Sequence, residues 1–248
     1  MHPCALVIVG NEMSGLPDLT DSLEQTLADP GLEDSAAALA EVLLDSALDV
    51  GVAREIPIIG TVLALSRASL AIRDRLFLNK LLHFLRELAA VPYEQREEMI
   101  RKVNESPRSR VRVGEKLLYL IERCEDHQTS QILAVLFKAF VQERISYDEF
   151  LRLAHAVDRV LLADLIQFLN EDWDSSSEES AIAFLPSGLV ELVPMCIRVE
   201  DQREPDCYDE KYIVEGGELE VSVSAVGKKL RELLRSDQAG SAEQLSPA

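Results

Sequence analysis

The chain has 248 residues, of which 47% are hydrophobic but only 5% aromatic, so we expect one large domain, or one and a half, with an aliphatic core. This composition favours packed helices over a β-sandwich. The net charge of -19 at pH 7 argues against non-specific binding of nucleic acid, which requires Lys and Arg side chains facing phosphate.

The charge is distributed unevenly along the chain. Residues 1–53 hold ten acids and no Lys or Arg, whereas residues 54–112 hold twelve basic and seven acidic residues. We call residues 54–112 the basic belt. Two hypotheses follow: the acidic N-terminal part of the same chain covers the belt, or the belt faces an external anion such as a phospholipid surface.

Residues 1–33 are predicted to form an acidic N-terminal arm. The arm contains one short helix, which is expected to start at Thr20 or Asp21 and to end before Pro30. A helical bundle is predicted to follow over residues 34–171. Its first helix is expected to carry a negative stripe that packs on the basic belt, formed by Glu41, Asp45 and Asp49.

The longest apolar-rich segment of the chain, residues 55–88, is predicted to be the centre of the bundle. It is expected to form one long helix, or two helices bent near residues 73–75. Small residues at every fourth position allow another helix to approach closely. The predicted contact positions, for helix packing or for a membrane, are Ile56, Gly60, Ala64, Arg67 and Ala68.

The apolar part of this segment is too short for a transmembrane helix. A spanning helix needs about 20 apolar residues, but residues 56–72 provide only 17 and include Arg67. The pattern therefore predicts a buried core helix. The alternative is a helix that inserts into a membrane only after a conformational change, or that lies in the interface with anionic lipid.

The densest basic patch of the belt lies in the loop after the next helix. It consists of Arg108, Arg110 and Arg112. One hypothesis is a solvated loop, and the other is a loop that contacts an anion such as phosphate.

Three more amphipathic helices complete the predicted bundle. The first runs over residues 113–124, and the second is expected to be capped by Thr129 or Ser130. The third is predicted to run for almost six turns over residues 147–168. On the preceding segment, His83 is predicted to be a surface residue because it falls on the polar face.

The C-terminal part of the chain has a different pattern. Residues 172–180 are acidic and Ser-rich, which predicts a linker. Residues 181–236 are predicted to form a small α+β unit with strands near residues 211–214 and 219–223. Residues 237–248 are predicted to be a disordered tail. The predicted fold class is therefore mainly α, a helical bundle with a small C-terminal winged-helix-like unit.

The last unit resembles the C-terminal part of a winged-helix domain. The matching positions are Leu185, Ser187–Glu191, Tyr212, Val221–Ser224 and Gly227–Leu230. The helix before the wing departs from that pattern, because it carries Glu178 and Glu179 and no basic residue, whereas a recognition helix offers basic or amide side chains to DNA. We therefore interpret the unit as a protein-contact wing, with DNA binding as the alternative.

The middle of the chain resembles an uncharacterised group of bacterial helical proteins. The resemblance rests on the apolar start Ile56–Thr61, on Ile72–Lys80 and on Ile145–Leu153, and it covers roughly residues 40–170. It implies a helical fold and supplies no activity.

Sequence patterns for catalysis or cofactor binding are absent. The chain has no GxSxG, no Gly-rich phosphate loop and no HExxH, and its four cysteines form no CxxC pair. We therefore predict no catalytic, cofactor-binding or metal-binding residues, no small-molecule substrate, and free thiols in a reducing cytoplasm.

The combined pattern predicts a non-enzymatic adaptor or effector that binds other proteins or copies of itself, and the resemblance implies that it is bacterial. By analogy, such proteins serve conflict or defence systems. A sharper version has the helix at residues 56–72 released to disturb an anionic membrane, which would place the protein at the inner surface of the membrane. The alternative is a winged-helix transcription regulator.

Overall fold

A computed structural model describes residues 16–35, 39, 53–65, 72–106, 111–194, 197–201, 212–215 and 219–243. The chain divides into two compact units, residues 1–154 and residues 155–248. The expected fold class is confirmed at this level: helices predominate, and a small antiparallel sheet lies near the C-terminal end.

Several helices are described in the first unit. They are α1 (Leu16–Leu27), α2 (Gly31–Asp34), α3 (Pro57–Leu65), α4 (Ile72–Leu88), α5 (Tyr93–Glu105), α6 (Val113–Arg123), α7 (His127–Val141) and α8 (Tyr147–Val157). A 3-10 turn at Ala53–Glu55 precedes α3, and the division between the two units falls within α8.

The second unit combines helices and short strands. Its elements are α9 (Leu162–Asn170), β1 (Ser175–Ser176), α10 (Glu179–Ile182), β2 (Val190–Leu192), β3 (Arg198–Asp201), β4 (Tyr212–Glu215), β5 (Val221–Val223) and α11 (Ala225–Glu243). Strand β5 lies between β1 and β2, antiparallel to both, and β3 pairs with β4 in a separate antiparallel ribbon.

The core of the first unit lies between α4 and α7. Apolar residues of α4 recur at the spacing of one helix face and are buried, namely Leu78, Leu81, Leu82, Phe84, Leu85 and Leu88. From α7, the ring of Phe137 lies 6.0 Å from that of Phe84 and 5.5 Å from that of Phe150, measured between centroids. Phe84, Phe137 and Phe150 therefore meet where α4, α7 and α8 pack together.

The core of the second unit requires a close approach between α11 and the segment before β2. A Cβ atom at Gly227 would lie 2.2 Å from the carbonyl oxygen of Leu189, so no larger residue fits without movement of the backbone. The hydroxyl of Ser224 accepts the Gly227 N–H and donates to the carbonyl of Gly188. This contact places Leu230 and Leu233 in the core.

The predicted helix boundaries differ from the observed ones at two places. The segment at residues 55–88 contains two helices, and residues 73–75 lie inside the second rather than at a bend. The six-turn helix predicted at residues 147–168 is two helices, because the chain turns after Val157 and Leu161 has extended backbone. The apolar period continues across this turn, so the pattern did not reveal it.

The N-terminal arm and the caps also differ in detail. Helix α1 starts at Leu16, before the predicted Thr20. The N-cap of α7 is Asp126, whose carboxylate accepts the N–H and the hydroxyl of Thr129, so the predicted cap residue is the donor rather than the cap. The acidic stripe at Glu41, Asp45 and Asp49 lies outside the described residues.

In the second unit, the segment predicted as a linker contains strand β1 and the start of α10. It is held because the N–H of Val223 donates to the carbonyl of Asp174, at 2.8 Å. Helix α11 continues to Glu243, so residues 237–243 are helical where disorder was predicted, and residues 244–248 lie outside the described part.

Candidate interaction site at helices α1, α3 and α4

Helix α3 is apolar and carries no charged side chain. Ile58, Ile59 and Val62 are buried, as is Ile56 just before the helix. Of the predicted row of small residues, Gly60 lies close to the preceding turn, since a Cβ atom there would be 3.0 Å from the carbonyl oxygen of Arg54, and Ala64 is exposed. Arg67 and Ala68 lie outside the described residues.

Helix α1 packs against α3. The hydroxyl oxygens of Ser22 and Thr61 are 2.6 Å apart, and the hydroxyl of Thr26 accepts the N–H of Ile58 at 3.1 Å. The second bond satisfies one of the free N–H groups in the first turn of α3. Leu23 and Leu27 of α1 are fully buried. Helix α1 therefore supplies both apolar and polar contacts to this part of the unit.

Helix α1 also contacts the N-terminal end of α6. The carboxylate of Glu24 accepts hydrogen bonds from the backbone N–H of Gly114 at 3.0 Å, from the side-chain amide of Asn104 at 3.1 Å, and from Arg112. The N-terminal end of a helix favours a negative charge. Gly114 has no side chain, and a Cβ atom there would lie 2.7 Å from Glu24 Cγ. We call this contact the Glu24 latch.

Arg112 is the one residue of the predicted anion loop that the structure describes. Its guanidinium, about half exposed, binds both Asp21 and Glu24. Hydrogen bonds to Glu24 and then to Asp21 raise the pKa of Arg112 above its usual range. Arg108 and Arg110 lie outside the described residues. The anion that Arg112 meets in this structure therefore belongs to α1.

The C-terminal end of α1, one turn beyond Glu24, is held by a buried cation. Arg96 of α5 is fully buried and donates to the carbonyls of Leu27 at 2.6 Å, Asp29 at 3.1 Å and Val91 at 2.9 Å. A carboxylate oxygen of Glu33 lies 3.6 Å away. Burial lowers the pKa of Arg96, and Glu33 opposes that shift. We call this contact the Arg96 clamp.

Other cations of the basic belt have partners within the chain. Arg101 pairs with Glu98 and Glu105, Lys102 pairs with Glu143, and Lys80 donates to the carbonyl of Glu122 at 3.0 Å. Described residues of the acidic N-terminal part contact Arg96 and Arg112. These contacts support the hypothesis of intramolecular cover for these two cations.

Three large apolar side chains are exposed where α3 ends and α4 begins. Leu65 is 47% exposed, Ile72 is 79% exposed and Leu76 is 60% exposed. Ile72 and Leu76 lie one turn apart on the same face of α4. We call these three residues the apolar tip. Arg73 and Arg75, beside Ile72, are exposed as well.

A histidine pair lies between α4 and the start of α7. The rings of His83 and His127 are 4.5 Å apart, and the Nδ1 atom of His83 is buried without a hydrogen-bond partner. Burial, followed by the nearby His127 and Arg86, lowers the pKa of His83 to about 4. The prediction of a surface residue was therefore wrong, because the polar face of α4 at this turn is covered by another helix.

The second unit has a buried cation of its own. Arg231 of α11 donates to the carbonyls of Phe168 at 3.1 Å and Trp173 at 2.7 Å. Its guanidinium carbon lies 4.1 Å from the centroid of the Phe168 ring and 5.2 Å from that of the Trp173 ring. These contacts fix the segment after α9, which was predicted to be a linker.

Sequence reasoning missed the partners in these contacts. Glu24 and Arg96 are single charges on helices, and the local sequence pattern does not mark either as a buried partner. Each meets its partner from a part of the chain 60 to 90 positions away. The one available signal was compositional, since an arm with ten acids and no base precedes a belt rich in bases.

Within the described ranges, no group of three or more His, Cys, Asp or Glu residues is arranged to hold a metal ion. The described helices also include none that combines the length and the apolar character needed to cross a membrane. A scan against protein-family models found no match, and searches of curated proteins and of solved structures found none.

Proposed function

We propose that the protein is a non-enzymatic adaptor or effector that acts by binding, and that its binding surface is the apolar tip. The supporting observation is that Leu65 at the end of α3 and Ile72 and Leu76 at the start of α4 are exposed. Large apolar side chains exposed together are typical of sites that bind a protein or a membrane.

The charges around the apolar tip favour an anionic membrane surface as its target. Arg73 and Arg75 follow Ile72 with Asp74 between them, which leaves one net positive charge in this turn, whereas the chain as a whole carries a charge of -19. Arg73 pairs with Glu122 at 3.4 Å, and both side chains are largely exposed. Such an exposed pair contributes about 0–1 kcal/mol, so the guanidinium can exchange Glu122 for a lipid phosphate at small cost. Each basic residue near an anionic membrane contributes about 1 kcal/mol to binding.

Flotation with lipid vesicles tests this proposal. We expect the wild-type protein to float with phosphatidylglycerol vesicles at low salt and not with phosphatidylcholine vesicles. Replacement of Ile72 and Leu76 by Asn should lower the bound fraction at least about tenfold, because each buried side chain contributes about 1.5–3 kcal/mol.

The matched control is Leu161→Asn, which removes a leucine of comparable exposure outside α3 and α4. This variant should bind like wild type. An absence of wild-type binding to phosphatidylglycerol vesicles at low salt would contradict the proposal, as would an equal loss of binding in the control.

A transcription regulator is the second candidate, and the ribbon of β3 and β4 favours it. The ribbon lies in the chain between β2 and β5, where a wing is expected. The helix before β2 argues against this candidate, since α10 has four residues and begins with Glu179, whereas a recognition helix must reach the bases of the major groove. A gel-shift experiment at low salt would eliminate this candidate if no DNA is retarded.

A further inference from the structure

We propose that α1 is a releasable cover for α3, anchored at its C-terminal end by the Arg96 clamp and closed by the Glu24 latch. Release of the latch would make the apolar face of α3 available to the same anionic membrane that the apolar tip contacts. The membrane target rests on the proposed function, but the cover itself does not.

Helix α1 has the composition of a helix that exists only while it is docked. Its twelve residues include the acids Asp18, Asp21 and Glu24 and no basic residue. Isolated helices shorter than about 12–15 residues are marginal in water. If the docking contacts are lost, α1 is therefore expected to lose its helical structure as well. It thus has two discrete states, docked and undocked.

Two contacts of different kinds, one helical turn apart, hold the C-terminal half of α1. The Arg96 clamp is fully buried and consists of bonds to main-chain carbonyls, so solvent ions do not reach it. The Glu24 latch combines bonds from Gly114 and Asn104 with a bond from Arg112, whose side chain is 48% exposed. An exposed cation can exchange its partner for an ion in solution. The latch is therefore the contact that opens first, and the clamp keeps the C-terminal end of α1 attached.

Opening at the latch exposes a face of the molecule that carries no charge. The bond between Ser22 and Thr61 would be lost together with the apolar contacts of the part of α1 before Glu24. The uncovered part of α3 would be the turn that contains Thr61 and Val62, on a helix of nine residues. A helix of this length cannot span a bilayer but can lie in its interface. It would also be continuous in the chain with Leu65 of the apolar tip.

Glu24→Gln is the variant that tests the cover. The amide keeps the shape of the side chain but places an NH2 group toward Arg112 or Asn104, which are themselves donors. Backbone amide exchange, followed by mass spectrometry, measures the opening of α3 directly. We expect exchange over residues 57–65 to become at least about tenfold faster, while exchange in α7 stays within twofold of wild type.

Two further variants make the result specific. Asp18→Asn removes the same charge from the same helix at an exposed position away from Arg112, so exchange in α3 should stay within twofold of wild type. Arg112→Gln removes the exposed guanidinium that binds Glu24 and should reproduce the effect of Glu24→Gln. This second variant allows the same test if Glu24→Gln does not fold. The cover would be overturned if exchange in α3 stayed within twofold of wild type for both latch variants. It would also be overturned if exchange became faster in α7 by the same factor as in α3.

Leakage of a dye from phosphatidylglycerol vesicles then tests the target of the uncovered helix. The latch variants should cause at least about fivefold faster leakage than wild type and Asp18→Asn. Faster exchange in α3 without faster leakage would support the cover and overturn the membrane as its target. Because wild-type flotation tests the apolar tip and amide exchange tests the latch, failure of one proposal can be distinguished from failure of the other.

Discussion

Each unit of the protein contains one nearly buried arginine, and the two are stabilised differently. Arg96 in the first unit donates to three carbonyls and has Glu33 as a partial counter-ion. Arg231 in the second unit donates to two carbonyls and lies against the rings of Phe168 and Trp173. In both cases the pKa is lowered, first of all by burial.

The difference shows what a buried cation requires. Both arginines donate to carbonyls at or just after the end of a helix, where main-chain acceptors have no partner within the helix and a positive charge is favoured by the helix dipole. The remaining charge is then balanced by a carboxylate in one unit and by aromatic faces in the other. Arg96 thereby connects distant parts of the chain, whereas Arg231 closes the segment that follows α9.

Replacement of Arg96 by Met should have the largest effect of any single change in this comparison. It leaves the carbonyls of Leu27, Asp29 and Val91 without their donor, so we expect a loss of about 3–5 kcal/mol in the unfolding free energy of the first unit. Urea denaturation combined with amide exchange in α5 measures this loss.

The control for Arg96 lies on the same helix. Arg101→Met breaks only exposed pairs with Glu98 and Glu105 and should cost less than about 1 kcal/mol. If the two variants were equally stable, the Arg96 clamp would not be an anchor for α1.

Replacement of Arg231 by Met should have a smaller effect. Two carbonyls lose a donor and the rings lose a cation, but the Nη2 atom of Arg231 has no hydrogen-bond partner to lose, so we expect a loss of about 2–4 kcal/mol. Amide exchange in α11 reports on this unit.

Lys228→Met, an exposed position on the same helix, should be close to neutral. An Arg231→Lys variant as stable as wild type would contradict a role for the planar guanidinium between the rings.

Helices could be predicted from the sequence where apolar residues recur on one face without interruption. The spacing of Leu81, Phe84 and Leu88 indicates α4, and that of Leu117, Leu120 and Ile121 indicates α6. The same reasoning failed at Leu161, because the apolar period continues through a turn of the chain. Local spacing describes one helix at a time and carries no signal for such a break.

The contacts that define the candidate site are all between distant parts of the chain. Glu24 and Arg96 are charged residues on amphipathic helices, and such residues are usually solvated. Only the fold reveals that one accepts a hydrogen bond from Gly114 and the other donates to Leu27. The uneven charge of the two segments predicted an attraction between them, but not which residues make it.

The histidine pair makes the stability of the first unit depend on pH. The pKa of His83 is about 4 in the folded protein and 6.5 as the ordinary value, so the unfolded chain binds a proton at this site more readily between these two values. Stability of the first unit is therefore complete above about pH 6.5 and falls as the pH decreases toward 4. Since His83 is only partly buried, solvent screening reduces the expected loss to about 1–2 kcal/mol.

Urea denaturation at pH 7 and at pH 4.5 measures this loss, with His83→Gln as the reference. Because every other titrating group remains in the variant, the difference between the two pH profiles isolates His83. We expect wild type to lose about 1–2 kcal/mol more than His83→Gln on acidification, and amide exchange in α4 and α7 to show the loss. Parallel profiles for the two proteins would mean that His83 is protonated as easily in the folded unit as in the unfolded chain, and that its contact with His127 does not resist a charge.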